Sequence, residues 1–489
     1  MLLIGKTGPC TALIPIAQAA QLMHEPIYEV RDAVHGFVKL TGAEWEIVDC
    51  PTFQRLRDIR QLPVAYMVYP GANHTRFEHS LGCVHVSSQM LDLLEERQGR
   101  KGRPTFKDAF GADKEAVERG RRILRLAALL HDVGHTPFSH AGESLLPSEQ
   151  FEGKQRRLNH EHMTARLIRE SEIGERIKKH YGRHGITREH VIAVAAKPEL
   201  AQGTEHKDDW TIFLNRILTG ELGADRIDYL LRDAYHSGQP SGNFDYAKLL
   251  NALTLVRQID AKGYAAGLDE DGWLLAEQMV VARYLMYITL YFHKTIRIYE
   301  IHLKRFLRPW LRDKQGGEHW PLETNAYGRL TDSAVLSDVI LAARDKDHRW
   351  HAEAKPFLAR THLRLAKELV LAENALKQQG RLVPDRKRFD KLWNHVRITL
   401  GRNLDLERDE PDHSATRIFS ADSEILILRD GKPRYIEELS EIVRGMPSRI
   451  WRGRIYAPRG QEETVRTVCD QFLKEHALAE ETNDGRSSR

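Results

Sequence analysis

The stretch RILRLAALLHDVGHTPFSH, residues 122–140, decides the fold. Its first half is apolar at almost every position, which predicts a buried helix over 116–131 with hardly any polar face. Such a helix delivers the adjacent His131 and Asp132 to the interior of the protein. An imidazole beside a carboxylate is a mixed nitrogen and oxygen donor set for a divalent metal.

Two more metal ligands are predicted on either side of this stretch. His79 lies upstream in HTRFEHSLG (74–82), and Asp225 lies downstream in GADRIDYLLRDAYHSG (223–238). Burying two carboxylates without a cation costs several kcal/mol, which favours a metal site over a structural role. Two imidazoles and two carboxylates leave room on the ion for a water and a phosphate oxygen. The sequence therefore predicts hydrolysis of a phosphate ester.

The composition is that of a globular protein. The chain has 489 residues, of which 41% are hydrophobic and 29% charged, with a formal net charge of +4 that is too small to imply nucleic-acid binding. No run approaches the roughly 18 apolar residues of a membrane helix, and no basic region precedes the short apolar start. We therefore expect a cytoplasmic protein without membrane contact. The four cysteines form no CxxC pair, which argues against a disulfide framework or a zinc ribbon.

The apolar pattern predicts a mainly α fold with small β-hairpins and a C-terminal α/β appendage. Hairpins are expected at 28–40 and 253–269. A long helix is expected from 274 to 307, ended by Pro309, and further helices over 330–400. The predicted division is an N-terminal segment (1–27), a helical core (28–310), a C-terminal helical and α/β region (311–475) and a disordered tail (476–489).

Four motifs in a fixed order resemble those of one enzyme family. HTRFEHSLG, HDVGHTPFSH, NHEH (159–162) and ADRIDYLLRDAYHSG are similar to motifs of the HD-domain deoxynucleoside triphosphate triphosphohydrolases. The likeness covers roughly residues 28–310 and identifies that region as an HD-domain catalytic core. It implies hydrolysis of deoxynucleoside triphosphates (dNTPs) to a deoxynucleoside and inorganic triphosphate.

The resemblance also implies roles for individual residues. A divalent metal, one of Mg, Mn, Fe or Ni, would be held by His79, His131, Asp132 and Asp225. The catalytic residues would be His135, His140, Glu143 and His160, with Glu143 standing where the family usually has an aspartate. The triphosphate would be bound by Arg76, Arg226, Tyr229 and Arg283, with arginine at 226 where the family also shows lysine. The residues around the sugar would be Gln61, Leu62, Asp233 and Tyr291, and Tyr287 would also bind the substrate.

The mechanism that the resemblance implies is attack of metal-activated water on the α-phosphorus. His140, oriented by Glu143, would protonate the departing 5′ oxygen, while His135 and His160 would stabilise the phosphoryl charge. Which histidine is the general acid stays open.

Family members assemble as tetramers or hexamers, and some are activated by a nucleotide at a subunit interface. Asp49, Gln54 and Arg57 match the guanine-reading residues of that site, so activation by GTP or dGTP is a hypothesis. The plainer alternative is a helix cap at Asp49 and a solvated charge at Arg57. The other expected partners are the dNTP substrate, weakly bound single-stranded nucleic acid and further copies of the chain.

Two other functions stay open. The same metal site would serve a nuclease or phosphodiesterase acting on single-stranded nucleic acid, or it could be a relic in a catalytically silent nucleotide sensor. For His135, His140 and His160 the plain alternative is a helix cap or a hydrogen-bonded core histidine, and for Leu62 and Tyr291 it is packing.

Overall fold

The structure is a computed structural model that describes residues 27–100, 103–151, 154–203, 208–259, 263–372, 386–413, 425–447 and 450–484. Residues 1–26 of the predicted N-terminal segment and residues 485–489 of the predicted tail lie outside this part of the chain. No helix within these ranges has the length and apolar character needed to cross a lipid bilayer.

Helices make up most of the described chain, as the sequence predicts. Three of them carry the predicted metal ligands and pack together: α3, α5 and α11. The helices are α1 (Gly42–Val48), α2 (Pro51–Gln54), α3 (Arg76–Arg97), α4 (Phe106–Phe110), α5 (Lys114–Leu130), α6 (Ser139–Glu143), α7 (His160–Glu170), α8 (Glu172–Tyr181), α9 (Arg188–Ala195), α10 (Asp209–Thr219), α11 (Ala224–Ser237), α12 (Tyr246–Asn251), α13 (Trp273–Met286), α14 (Lys294–Gln315), α15 (Thr324–Gly328), α16 (Asp332–Arg344), α17 (His351–Ala359), α18 (Arg386–Thr399), α19 (Ile436–Leu439), α20 (Glu441–Gly445) and α21 (Glu462–Asp484).

The strands form four small sheets. Two are hairpins, β1 with β2 and β3 with β4; the others have the orders β11-β10-β6-β5 and β7-β12-β8, with β9 also pairing with β12. The predicted hairpins at 28–40 and 253–269 are both present. The strands are β1 (Ile27–Asp32), β2 (Gly36–Thr41), β3 (Ser148–Phe151), β4 (Lys154–Arg157), β5 (Leu253–Arg257), β6 (Tyr264–Asp269), β7 (Arg364–Ala372), β8 (Glu407–Asp409), β9 (Asp412–His413), β10 (Leu426–Arg429), β11 (Lys432–Tyr435) and β12 (Ile450–Ala457).

The helix starts follow from local sequence. Thr75 and Glu78 form a capping box at the start of α3, and Asn159 and His162 form one at the start of α7. Asp113 accepts a hydrogen bond from the Ala116 amide at the start of α5. These side chains occupy backbone groups that have no partner inside a helix, which fixes where each helix begins.

Two predictions about the second half of the chain are wrong. Pro309 does not end the long helix, because α14 continues to Gln315. The buried Trp310 and Leu311 anchor that last part in the core, and the packing outweighs the hydrogen bond that proline cannot make. The helices predicted over 330–400 are interrupted by β7, whose pairing partner β12 lies about 80 residues further along the chain.

The two largest hydrophobic clusters of the described residues are one large core and a smaller one. The large core runs from Val38 to Phe357 and takes in residues 425–443, whereas the small core joins β7, α18, β12 and α21. The packing therefore continues past the boundary predicted after residue 310, and that domain division stays a prediction. Helix α21 ends at Asp484, inside the segment for which the sequence predicts disorder.

Candidate active site

The four predicted metal ligands converge. His79 Nε2 lies 3.0 Å from Asp225 Oδ1, 3.2 Å from His131 Nε2 and 3.5 Å from Asp132 Oδ2. His131 Nε2 lies 3.5 Å from Asp132 Oδ1 and 3.8 Å from Asp225 Oδ1. The ligands come from α3, from the end of α5 and from the first turn of α11, so the packing of these three helices builds the site.

The outer nitrogens of the two imidazoles fix how the inner nitrogens face the site. His79 Nδ1 lies 2.7 Å from Asp228 Oδ2, and His131 Nδ1 lies 2.9 Å from the Ala128 carbonyl oxygen. Both partners only accept, so each Nδ1 carries the proton and each Nε2 presents a lone pair. Two imidazole lone pairs and two carboxylates then point at one another, an arrangement that needs a cation.

The distances fit such a cation. An ion about 2.1 Å from each ligand atom separates neighbouring ligand atoms by about 3.0 Å in octahedral and about 3.4 Å in tetrahedral geometry. The five separations run from 3.0 to 3.8 Å, so each lies within this range or exceeds it by at most about 0.4 Å. Burial lowers the pKa of His79, but Cys83 and the carboxylates of Asp225 and Asp228 outweigh it and hold that pKa well above its usual range. The pocket thus favours positive charge, which a bound metal would supply in place of a proton.

A second group of side chains adjoins the metal-binding residues. His135 Nε2 lies 3.3 Å from Asp132 Oδ1, and the ring of His135 stacks on that of His160 with centroids 4.0 Å apart. Glu143 joins the other members: its Oε2 lies 2.8 Å from His140 Nδ1 and its Oε1 lies 2.9 Å from His160 Nδ1. The four predicted catalytic residues therefore lie together, and one carboxylate orients two imidazoles.

The protonation of this group follows from its surroundings. Burial, Arg76 and His160 hold the pKa of His135 well below its usual range, so its imidazole is neutral. Burial raises the pKa of Glu143, but hydrogen bonds from His140 and His160 outweigh that and lower it. The side chain of His140 is 66% exposed, so this imidazole can exchange protons with solvent.

A tight turn presents the second group. Phe138 and Ser139 both have left-handed backbone angles, with φ of 59° and 50°. Asp332 Oδ1 accepts a hydrogen bond from the Phe138 amide at 2.7 Å, which helps to hold this strained turn. At Gly134 a Cβ atom would lie 2.1 Å from the Thr164 amide nitrogen and 2.3 Å from the His160 carbonyl oxygen. The start of α7, which carries His160, can approach the turn only because residue 134 is glycine.

The predicted triphosphate-binding residues occupy two places. Arg76 is buried against the metal site, where it donates to Asp132 and, at 2.7 Å, to Ser139 Oγ. Arg226 and Arg283 share Glu221, with Nη2 and Nη1 at 3.1 and 2.9 Å from its carboxylate oxygens. Arg226 Nη1 is buried and has no hydrogen-bond partner among the described residues. Arg76 therefore neutralises a metal-binding carboxylate, and Arg226 keeps a donor available for an anion.

The predicted sugar-binding residues meet around Asp233. Tyr291 donates its hydroxyl to Asp233 Oδ2 at 2.7 Å, and His74 Nε2 lies 2.7 Å from Asp233 Oδ1. The backbone amide of Gln61 donates to the backbone carbonyl oxygen of His74 at 3.1 Å. Burial and Asp233 hold the pKa of Tyr291 well above its usual range, so its hydroxyl stays protonated.

The remaining predicted substrate-binding residues, including Tyr229 of the triphosphate group, lie around Tyr291 and the core. The rings of Tyr229 and Tyr287 lie 6.3 and 4.9 Å from that of Tyr291, and Leu62 packs against the large core. The side-chain oxygen of Gln61 is buried without a hydrogen-bond partner within the described ranges.

The residues predicted to bind an activator share one surface. Asp49 and Arg57 are exposed. Arg57 Nε donates to Gln54 Oε1 at 2.7 Å, and Gln54 Nε2 donates to the carbonyl oxygen of Val48, next to Asp49. Asp49 is the last cap residue of α1, so it does not begin a helix. The three residues are close enough to act together, and their role stays a prediction.

Several residues that hold the site together were not predicted from the sequence. Asp228 orients His79, Glu221 holds two arginines, and His74 holds Asp233. Asp228 follows Asp225 by three residues in DRIDYLLRD and so lies on the same face of α11. That spacing is the signal that could have identified it.

Comparison with known proteins defines the class. The chain matches the HD domain over residues 76–229 and the HD associated region over residues 244–333. It is therefore an HD-domain protein. This relation to the HD phosphohydrolase superfamily supports activity as a metal-dependent hydrolase.

Within that class, the chain is similar to deoxynucleoside triphosphate triphosphohydrolases and to uncharacterized proteins. It is 30% identical over 230 residues to a deoxynucleoside triphosphate triphosphohydrolase SAMHD1 homolog of Dictyostelium discoideum, covering 46% of this chain and 40% of that protein. It is 26% identical over 466 residues to an uncharacterized protein of Methanocaldococcus jannaschii, covering 91% of this chain and 84% of that protein.

A solved structure shows the same architecture over most of the chain. A hypothetical protein from Aquifex aeolicus matches with a TM-score of 0.68 and 28% identity, over 91% of this chain and 100% of that one. The chain thus spans less than half of the Dictyostelium protein but the whole of the Aquifex structure.

Proposed function

We propose that the protein hydrolyses deoxynucleoside triphosphates to a deoxynucleoside and inorganic triphosphate. The observation that carries the proposal is that the four predicted metal ligands converge beside the group of His135, His140, Glu143 and His160. Helix α11, which carries the metal ligand Asp225, also carries Arg226 and the Asp233 that pairs with Tyr291. The similarity to triphosphohydrolases of the SAMHD1 type supports the choice of substrate.

The metal centre would be formed by His79, His131, Asp132 and Asp225. A divalent ion bound there lowers the pKa of its water and offsets phosphoryl charge. Arg76 lies against Asp132 and offsets part of the carboxylate charge. Mg, Mn, Fe and Ni are all compatible with two imidazoles and two carboxylates.

The reaction breaks the bond between the α-phosphorus and the 5′ oxygen of the sugar. A hydroxyl from water joins the α-phosphorus, so the triphosphate leaves intact, and the 5′ oxygen gains a proton. His140 is placed to deliver that proton, because Glu143 holds its Nδ1 while the rest of the ring faces solvent. His160, held by the same carboxylate, is the second proton carrier, and the neutral His135 contacts Asp132.

Substrate selection would depend on the arginines and on Asp233. Glu221 presents Arg226 and Arg283 together, and a guanidinium binds phosphate oxygens through a fork of donors. Asp233, fixed by His74 and Tyr291, is a candidate acceptor for the 3′-hydroxyl. Apolar walls such as Leu62 would exclude a 2′-hydroxyl.

The decisive experiment incubates the metal-reconstituted protein with each dNTP, each ribonucleotide and single-stranded DNA. Release of tripolyphosphate from dNTPs is the expected result. Release of mononucleotides from DNA would instead establish a nuclease or phosphodiesterase. Nucleotide binding without any product would establish a sensor. The matched control is His140→Gln, which removes the exposed proton carrier and leaves the metal ligands in place.

Regulation is a separate part of the proposal. The shared surface of Asp49, Gln54 and Arg57 supports binding of GTP or dGTP between subunits of a tetramer or hexamer. Activity and oligomer mass should both rise when GTP or dGTP is titrated. Indifference of both to every nucleotide would remove this part while leaving the hydrolase proposal intact.

A further inference from the structure

A buried carboxylate lies directly behind the predicted metal centre. Asp228 follows the metal ligand Asp225 by one turn of α11, and its side chain is fully buried. Asp228 does not face the metal site, because it contacts His79 through the outer nitrogen Nδ1 and not through the Nε2 that faces the other ligands. Its role must therefore be found in the groups that surround it.

Every acceptor position of Asp228 is occupied. Oδ2 lies 2.7 Å from His79 Nδ1 and accepts from Arg232 Nε at 2.9 Å. Oδ1 lies 2.7 Å from His35 Nε2 and accepts from Arg232 Nη2 at 2.9 Å. A carboxylate offers about four lone-pair sites, so these four N–H groups saturate it. Because Asp228 only accepts, His79 must carry its proton on Nδ1.

The same network reaches the β1–β2 hairpin. Arg232 Nη1 donates to Asp32 Oδ2 at 2.9 Å, and Asp32 Oδ1 accepts from the amides of Val34 and His35 at 2.9 and 2.8 Å. Asp32 is the last residue of β1, and His35 lies in the turn that leads to β2. The hairpin therefore contributes one carboxylate and one imidazole to a buried chain of contacts that ends at a metal ligand.

Helices α3 and α11 leave room for this network of contacts at one residue, Gly82. At Gly82 on α3, one turn after His79, a Cβ atom would lie 1.8 Å from Asp228 Oδ1 and 2.5 Å from Arg232 Nη2. Any side chain at this position would have to displace the buried Asp228 carboxylate and Arg232 guanidinium. The contact between Asp228 and His79 therefore depends on this glycine.

The charges in the network are unequal. Asp32 and Asp228 carry two negative charges and Arg232 carries one positive charge, and all three are buried. The remaining negative charge lies against His79, where it makes the imidazole a stronger electron donor. A cation on the other side of that imidazole would be stabilised by the same charge.

We propose that Asp228 is a positioning residue for the metal centre and that the β1–β2 hairpin is coupled to metal binding through Asp32, Arg232 and His35. The inference rests on the metal centre of the proposed function. It adds that the hairpin, which ends at Thr41 well before His79 in the sequence, helps to set the affinity of the site. By linkage, a bound metal must strengthen the docking of the hairpin by the same free energy.

The first test measures metal affinity by competing Mn²⁺ or Co²⁺ against a chelator. Asp228→Asn should weaken binding about 10- to 100-fold, because an amide offers fewer acceptor sites and no charge. Asp233→Asn is the matched control, since it changes another buried aspartate on α11 that contacts no metal ligand. Its metal affinity should equal that of the wild type. Equal affinity for Asp228→Asn and the wild type would overturn the proposal.

The hairpin is tested by two variants at residue 35. His35→Ala should also weaken metal binding, by less than Asp228→Asn, because Asp228 keeps its contacts with Arg232 and His79. His35→Gln should restore much of the affinity, since its amide can donate to Asp228. A loss of thermal stability in His35→Ala with unchanged metal affinity would show a purely structural role.

Hydrogen exchange of the wild-type protein gives a test that needs no variant. Adding Mn²⁺ should slow exchange of amides in residues 27–41 as well as around His79. Slower exchange around His79 alone would overturn the coupling but leave the metal centre standing. No change anywhere, together with no measurable Mn²⁺ binding, would instead refute the metal centre of the proposed function.

Discussion

Gly134→Ala should distort the catalytic turn. The new Cβ atom would lie 2.1 Å from the Thr164 amide nitrogen and 2.3 Å from the His160 carbonyl oxygen. Carbon needs about 3.5 Å from such atoms, so the turn and the start of α7 would have to separate by about 1 Å. Both obstacles are backbone atoms of a helix, which cannot rotate aside as a side chain would.

The expected cost has two parts. Forcing a methyl group into a packed interior destabilises a protein by about 1–3 kcal/mol. The rings of His135 and His160 are stacked with centroids 4.0 Å apart. Separation of the turn from α7 would also pull these two rings apart. A displacement of about 1 Å at a catalytic group lowers the rate about 100-fold. The variant should therefore lose more activity than its stability alone would explain.

The assays are thermal unfolding and initial rate with the best dNTP substrate. Gly182→Ala is the control, because that glycine follows α8 with helical angles and has open space around its Cα. It should be at least as stable as the wild type. If Gly134→Ala unfolded at the wild-type temperature and turned over at the wild-type rate, the close approach of the turn and α7 would not be what positions His160.

Three other substitutions test separate contacts. Glu143→Gln should lower kcat at least about 100-fold while Glu143→Asp keeps most of it, because only a carboxylate accepts from both His140 and His160; equal rates for the two variants would contradict this. Tyr291→Phe leaves Asp233 without its 2.7 Å hydroxyl donor and should raise KM for dNTPs and narrow the preference over ribonucleotides, which steady-state kinetics would measure. Burial raises the pKa of Asp332 from 3.8 to about 6, so its contribution to stability is complete below pH 4 and is lost as the pH rises through 6. Between pH 4 and 7 the free energy of unfolding of the wild type should therefore fall by about 3 kcal/mol relative to that of Asp332→Asn. Urea unfolding of both proteins measures this, and a difference that stayed constant with pH would refute the raised pKa of Asp332.

The metal ligands could be predicted because they lie in three separate motifs. His79, His131, Asp132 and Asp225 are single side chains of suitable chemistry, and their order along the chain was enough to group them. The bridging role of Glu143 was also within reach, because three residues separate it from His140 on one helical turn.

The supporting contacts could not be predicted in the same way. Glu221 and Arg283 are 62 residues apart, and His35 and Asp228 are 193 residues apart, so each pairing exists only once the helices have packed. Arg76 shows the same limit: its role in binding the triphosphate stays a prediction, and its contact with Asp132 is visible only in the packed structure. Many charged residues in the chain are compatible partners, and packing alone selects among them.

The C-terminal half was harder for a related reason. Strand β7 pairs with β12 across a long stretch of chain, so its apolar residues resemble those of a helix until the partner is known. Pro309 likewise indicates a helix end locally, and only the burial of Trp310 and Leu311 overrides it.

Between α13 and α14 the backbone widens into a π-helix at Tyr287–Tyr291. A π-turn accommodates one residue more than the α-helix around it, and each residue added to or taken from a helix rotates everything beyond it by about 100°. The π-turn absorbs its extra residue, however, so deleting Ile288 would let the segment rewind as ordinary helix with Tyr291 on nearly the same face. A single-residue deletion here should therefore be tolerated better than one inside α13 or α14, where nothing takes up the rotation.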